Sequence, residues 1–501
     1  MRPTVAVIGA GPGGLVSARW LVAQGFEPTL FEEGPSLGGQ WTGRPGSSGV
    51  WPTMHTNTSR VLTAFSDLEH TRPTVHPANQ DILEYLHRYA ALFDLPPRIR
   101  LNTRVELLRR QAGSWWVDHH DGTERFDRVV VASGRFRSPT VPHIAGLSTF
   151  SGSAGVISTD RYREPAPYLG KRVLVAGGAI SALEIAAELA QLGAHVVVTQ
   201  RRQRYVLPKF AAGVPSDHRI FTRYGVLAQQ TLPPAEVDRQ LREIVVEAGG
   251  SPEQYGAPAP AESLSAAGVT LSQQYLPLVA EGRISVRPWP TAVSGTRVTF
   301  ADGHSEEFDG MVFGTGFALD LPFLADDIRA TVGLDAVHLD ADRHTFHPDL
   351  PGLAFVGLWD QSGGYFVPLE LQARWISYAW AGRVPHRAAE QRSAIQAYRA
   401  RRGLSQKTRM NLAAVMFARA AGVEPDPVNW PQLHRALLFG PLAPSSFRLE
   451  GPDALPDAPA RFARDAAAFG AVTSNELTRR EQAQLALLTE PKTRARPGNP
   501  Q

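Results

Sequence analysis

Cysteine is absent from all 501 residues of this chain. That excludes disulfides, thiolate metal sites, a redox-active cysteine pair and a cysteine-linked cofactor. No apolar run approaches the roughly 20 residues that span a bilayer. Strand-like sequence begins almost at the N-terminus and leaves no room for a signal peptide, so a soluble cytoplasmic protein is expected. Charge of one sign is missing as well: 51 basic against 48 acidic residues leave a formal +3, too little imbalance to point to nucleic acid. Lysine supplies only four of the basic residues, which reads as coding bias rather than function. No His, Asp or Glu grouping has metal-ligand spacing, so no metal is expected.

A hydrophobic fraction of 43% and a charged fraction of 20% suit a soluble globular protein, and the length suggests two or three domains. The stretch from Thr4 to Ala18 organises the rest. Val5, Val7 and Ile8 read as a short buried strand. Gly9, Gly11 and Gly14 give the G-x-G-x-x-G spacing, and residues 15–24 continue as a helix. Gly9 allows the tight turn, Gly11 lets backbone approach a pyrophosphate, and Gly14 permits close strand–helix packing. The phosphates would sit on free N–H groups at the positive end of the helix. A second strand over residues 27–31 ends at Glu32, placed to accept hydrogen bonds from a ribose. Together these specify a dinucleotide site.

The pattern restarts near residue 172. Residues 172–176 read as a strand and Gly177-Gly178-Ala179-Ile180-Ser181-Ala182 as a turn. Residues 183–192 then form a helix and 196–199 a strand ending in Gln200-Arg201-Arg202. The fold class is therefore α/β, with two Rossmann-like dinucleotide-binding domains, the second inserted in the first, and a helical C-terminal extension. The expected boundaries are 1–168 and 309–445 for the first domain, 169–308 for the second and 446–501 for the extension, whose last dozen or so residues read as disordered. Further strands are expected over 98–108, 114–119, 128–132 and 284–287. The strand at 310–313 would return the chain to the first domain. Residues 249–268, rich in Gly, Pro and Ala, read as a mobile excursion.

These residues resemble the class B flavin-dependent monooxygenases, most closely the flavin-containing branch that oxygenates nitrogen and sulfur. The shared marks are Gly9-x-Gly11-x-x-Gly14, Glu32, the Gly38-Gly39-x-Trp41 loop and Asn57 followed by Phe65-Ser66-Asp67. Ala132-Ser133-Gly134, the second turn, Arg201-Arg202, Gly314-Thr315-Gly316-Phe317 and Glu370 to Trp375 follow in order, as do Phe439 to Leu442 and Phe447 to Leu449. The resemblance implies bound FAD, NADPH as electron donor, and insertion of one oxygen atom from O2 into a small molecule through a flavin C(4a)-hydroperoxide. It assigns cofactor contacts to Pro12, Gly13, Gln40, Thr56, Val105, Ser133, Gly134, Gly316 and Gln372 beside the turn residues named above. Asn57 becomes the catalytic candidate near flavin C(4a), since a neutral amide donates to oxygen without supplying an acidic proton. Arg201 and Arg202 would meet the 2′-phosphate of NADPH.

Two departures stand out. Ala179 replaces the middle glycine of the second turn, where a methyl group could push a pyrophosphate outward. The family linker after Phe150-Ser151-Gly152 lacks its His, and Val156 and Ile157 occupy that region. The enzymatic alternative is a Baeyer–Villiger monooxygenase, which usually carries a His and a Trp-Pro in the linker; both are missing here, which argues against it. An uncoupled NADPH oxidase and a non-catalytic flavin-binding protein are the others. Glu370 and Arg374, at i and i+4, read as a helix ion pair. Trp41 reads equally as a flavin neighbour or as core. Ser133 and Ser181 have no nearby His, which argues against a hydrolase. Neither the substrate nor the oligomeric state is legible, and a homodimer stays open.

Overall fold

A computed structural model describes residues 2–45, 48–402 and 407–489. The terminal segment expected to be disordered lies outside the described residues. Two five-stranded parallel sheets form the frame. The first runs in the order Leu353–Phe355, Arg128–Val131, Thr4–Ile8, Glu27–Phe31, Ile99–Arg100. Its central strands are buried on both faces, as near-continuous Val and Ile runs require when helices cover a parallel sheet. The helix Pro12–Ala23 follows the first strand, with Pro12 in the first turn. It packs against the helix Phe366–Trp380, which in turn packs on Met410–Ala421.

The second sheet runs Ile284–Arg287, His195–Thr199, Arg172–Ala176, Gly310–Phe313, Gly155–Ser158. This corrects both expected domain boundaries. Gly310–Phe313 does not return to the first sheet but pairs with Arg172–Ala176, and Gly155–Ser158 joins as an edge strand. The second sheet thus draws on residues 155–313. Gly314 to Gly316 resembles Ala132 to Gly134 because each ends a central parallel strand, in different sheets.

Two other segments differ from expectation. The strand expected over 98–108 is broken at residues 101–104. There Asn102 takes φ +53°, and the Asn102 and Thr103 N–H groups bond Gly34 O and Glu32 O at 2.9 and 2.8 Å. Residues 249–268 are not a loose excursion. Pro252 and Ala257 are buried, and the Asp238 carboxylate accepts the N–H groups of Leu264 and Ser265 at 3.0 and 2.7 Å. Among the described residues no helix is long and apolar enough to cross a membrane.

Candidate active site and cofactor cradles

A cavity of about 1090 Å³ runs between the two glycine-rich turns. At its first end Gly9 takes φ +104°, and a Cβ there would lie 2.6 Å from Ala132 O. A Cβ on Gly14 would collide with Gly9 O, so helix and strand approach closely only because none is present. Gly11, Pro12 and Gly13 line the cavity; Gly14 stays beneath them as packing. The first helix has no side-chain N-cap, which leaves its opening N–H groups for an anion. Glu32 closes the turn: its Oε2 accepts Ala10 N at 2.9 Å and its Oε1 accepts Gly34 N at 2.8 Å.

The loop Gly38 to Thr42 folds onto this turn. Gly39 and Gln40 line the cavity, and a Cβ on Gly39 would sit 2.8 Å from Gly11 Cα. Trp41 does both things left open by its sequence: it lines the cavity and is buried edge-on to Phe366, centroids 6.5 Å apart. Its Nε1 and Ser133 Oγ are buried without a partner among the described residues. Gly134, Val105 and Gly316 complete this half.

Thr56, Asn57 and Thr58 form the middle of the wall. Thr56 Oγ1 donates to Thr58 O at 2.8 Å, and Thr58 Oγ1 meets Thr63 Oγ1 at 2.8 Å. Asn57 lines the cavity, and its side-chain amide makes no hydrogen bond among the described residues. The segment around it is anchored on residues of the second sheet's region. Trp51 packs edge-on to Tyr162 at 5.8 Å, Thr53 Oγ1 donates to Glu188, and Ser59 N donates to Asp217 Oδ2 at 2.6 Å. Ser59 Oγ meets His218 Nε2 at 3.1 Å. Burial pushes the Asp217 carboxyl up to about 6, against the pull of the Ser59 N–H. Burial first, then His76 and Arg60, pushes His218 down to about 3. Sequence reasoning missed both residues, since nothing local marks a partner 158 residues away.

At the second end Ala179 and Ser181 line the cavity, and the helix Ile180–Gln191 also lacks a side-chain cap. Gly177 and Ala182 lie beneath, packed against Gly314. Arg201 and Arg202 stand just past the end of the strand His195–Thr199, and two other expectations need correction here. Arg201 and Arg202 do not line the cavity: Arg201 lies over the Trp289 ring at 5.1 Å and Arg202 Nη1 donates to Ala266 O at 2.8 Å. Arg204, one residue before the strand Tyr205–Leu207, does line it. Gln372 is fully buried away from the cavity. Its Oε1 accepts Gly357 N at 3.1 Å, and its Nε2 donates to Thr345 Oγ1 at 2.7 Å and Phe355 O at 3.0 Å. Glu370 and Arg374 are not a bonded pair. Glu370 Oε2 accepts Ser66 N at 2.7 Å, and Arg374 Nη1 donates to Phe447 O at 2.8 Å. Burial, then Asp67, raises the Glu370 carboxyl.

His119, His120 and Asp121 bring three ligand atoms within 4.8 Å. His119 is spent inside its hairpin, however, with Nε2 2.9 Å from Glu124 and Nδ1 accepting Asp121 N at 3.3 Å.

Two uncapped helix starts, each behind a tight glycine turn and opening on one cavity, define a two-dinucleotide oxidoreductase. The family model described as flavin-binding monooxygenase-like matches residues 2–466. Dimethylaniline monooxygenase (N-oxide-forming) 2 of Rattus norvegicus is 31% identical over 485 residues, 90% of this chain and 89% of that protein. Flavin-containing monooxygenase 2 of Homo sapiens is 30% identical over the same length and shares. Among solved structures, S-allyl-L-cysteine S-oxygenase from Allium sativum aligns over 93% of this chain and 99% of its own, with TM-score 0.63 and 22% identity. Cyclohexanone monooxygenase from Rhodococcus sp. Phi1, bound to NADP+, aligns over 84% and 98%, with TM-score 0.63 and 19% identity. These structures share the fold of two Rossmann-like domains. The chain belongs to the flavin-binding monooxygenase-like family. It is an enzyme, a flavin-dependent monooxygenase, of a family that uses FAD and NADPH. The cradle at Gly9, Gly11 and Gly39 and the unpartnered Ser133 Oγ and Trp41 Nε1 fit such a ligand.

Proposed function

We propose that this enzyme transfers one atom of O2 to the nitrogen or sulfur of a small molecule, with NADPH as the electron donor. The observation that carries the reading is the Asn57 amide, unbonded on the wall of the cavity that joins the two turns. The naming of relatives as N-oxide-forming supports the same reading.

In this reading Gly9, Gly11 and the opening N–H groups of Pro12–Ala23 hold the FAD pyrophosphate, and Glu32 holds its ribose. Ala179 and Ser181 sit at the NADPH pyrophosphate, with Arg201 and Arg202 at the end of the strand His195–Thr199 for the 2′-phosphate. Bound FAD, reduced by NADPH, supplies the reaction with O2. The chain contributes placement and a dry site. Trp41 and Phe366 give one side of the cavity an apolar lining, and Phe136 and Tyr365, centroids 6.0 Å apart, give another, surface that disfavours water. Asn57 donates an amide N–H toward oxygen, and an amide has no acidic proton to release there. The anchors at Trp51, Thr53 and Ser59 hold that amide in place.

The test adds NADPH and air to the FAD-loaded enzyme with a tertiary amine, a thioether or a ketone. An N-oxide or sulfoxide is expected, and Asn57→Ala should raise the peroxide released per NADPH consumed. Ester formation from the ketone alone, or peroxide equal to NADPH with every substrate, overturns the proposal.

A further inference from the structure

The cavity wall beyond Asn57 carries a cation that no protein group satisfies. Arg204 is half-buried and lines the cavity, and its guanidinium has no hydrogen bond or ion pair among the described residues. Burial and then Arg202 work against its charge, and Asp360 opposes them. Asp360 is already engaged, with Lys407 Nζ at 3.3 Å, and Lys407 lines the same cavity. Two cations against one carboxylate leave a net positive wall. Among the described residues no protein group competes for the Arg204 donors, so they are free to meet an anionic ligand in the cavity.

The surroundings indicate which ligand. Arg204 opens into the strand Tyr205–Leu207, which pairs with Val269–Leu271. On the other side, Gln361 Nε2 donates to Gly364 O at 2.6 Å, and Gly364 abuts the Thr58 side chain beside Asn57. Phe221, Val269 and Leu271 line the same cavity. The wall thus offers an amide at one place, apolar surface, and a guanidinium at another.

We propose that Arg204, backed by Lys407, is a subsite for a carboxylate on the molecule to be oxygenated. The substrate class is an amine or thioether that carries a carboxylate, with apolar atoms between the two groups. This rests on the oxygenation proposed above. A phosphate of NADPH offers the same anionic chemistry, but Arg201 and Arg202 already stand at the strand end where the 2′-phosphate belongs.

The test uses the FAD-loaded enzyme, wild type, Arg204→Gln and Arg204→Lys. A thioether carboxylate and its methyl ester are titrated against the visible spectrum of the oxidised flavin. KM is then measured for both, and for NADPH and NADH. Wild type should bind the carboxylate about tenfold or more tightly than the ester, as a charge-assisted bidentate contact implies. Arg204→Gln should bring that ratio near one and Arg204→Lys should restore part of it, with the NADPH to NADH ratio steady. The subsite is overturned if wild type treats acid and ester alike, a result that needs no variant to fold. It is also overturned if Arg204→Gln moves the NADPH KM and leaves the acid to ester ratio intact. Should the carboxylate bind through Arg204 while no N- or S-oxide forms, the subsite stands and the proposed oxygenation falls.

Discussion

Asp217 Oδ2 accepts the Ser59 N–H at 2.6 Å across 158 residues of sequence, and Ser59 lies two residues after Asn57. Burial holds the Asp217 carboxyl at about 6 instead of 3.8, so the native state keeps that proton more tightly than the unfolded chain. The resulting stabilisation, roughly 3 kcal/mol, is complete below about pH 4 and is lost as pH rises through about 6. Asp217→Asn keeps the shape and removes the titration. On moving from about pH 7 to about pH 5, the Tm of wild type should gain on that of the variant. His218 and His76, lowered to about 3 and about 4, act in the opposite direction but are present in both proteins. Parallel Tm profiles would mean that Asp217 ionises normally.

Gly14→Ala puts a methyl group against Gly9 O, where strand and helix are closest. The added methyl should cost about 1–3 kcal/mol or more in overpacking and release FAD, seen as loss of flavin absorbance in the purified protein. Gly25→Ala is the control. Its φ of +85° is strained for alanine, but nothing lies within 4 Å, so stability should fall by about 1 kcal/mol with flavin retained. Loss of flavin in both variants would point to general instability rather than to the cradle.

Ala179 has φ −96° and ψ 170°, extended backbone open to any residue, so its methyl group matters only through the cavity it lines. Ala179→Gly should lower the NADPH KM about fivefold, equal to ~1 kcal/mol. An unchanged KM would show that the turn already gives the pyrophosphate room.

Gln372→Leu leaves Gly357 N and Phe355 O without their partner. Thermal unfolding should show a loss of about 2–4 kcal/mol, while the substrate KM of the folded fraction stays put. A KM shift without a Tm shift would return Gln372 to the binding site.

Much of this was legible locally. The two turns are short, their glycines follow from sterics within a few residues, and the strands before and after them are buried on both faces. Val5 to Ile8 and Val173 to Ala176 therefore carry their own label. The domain limits were not legible. Gly310–Phe313 reads as a buried strand in either sheet, and only pairing with Arg172–Ala176 decides which. Gln372 and the Glu370–Arg374 pair were misread for a related reason: helical spacing gives the face of a helix, whereas the partners came from Gly357, Ser66 and Phe447.

The sequence alone determined that two nucleotide cradles exist, because a cradle is a local object built from backbone that side chains would block. Tertiary structure alone decided what stands between them. Asp217 reaches the Asn57 segment, Arg204 stands on the cavity wall, and Gln372 turns inward, each through contacts between distant segments. Such contacts depend on how whole layers pack, and no spacing along the chain encodes that.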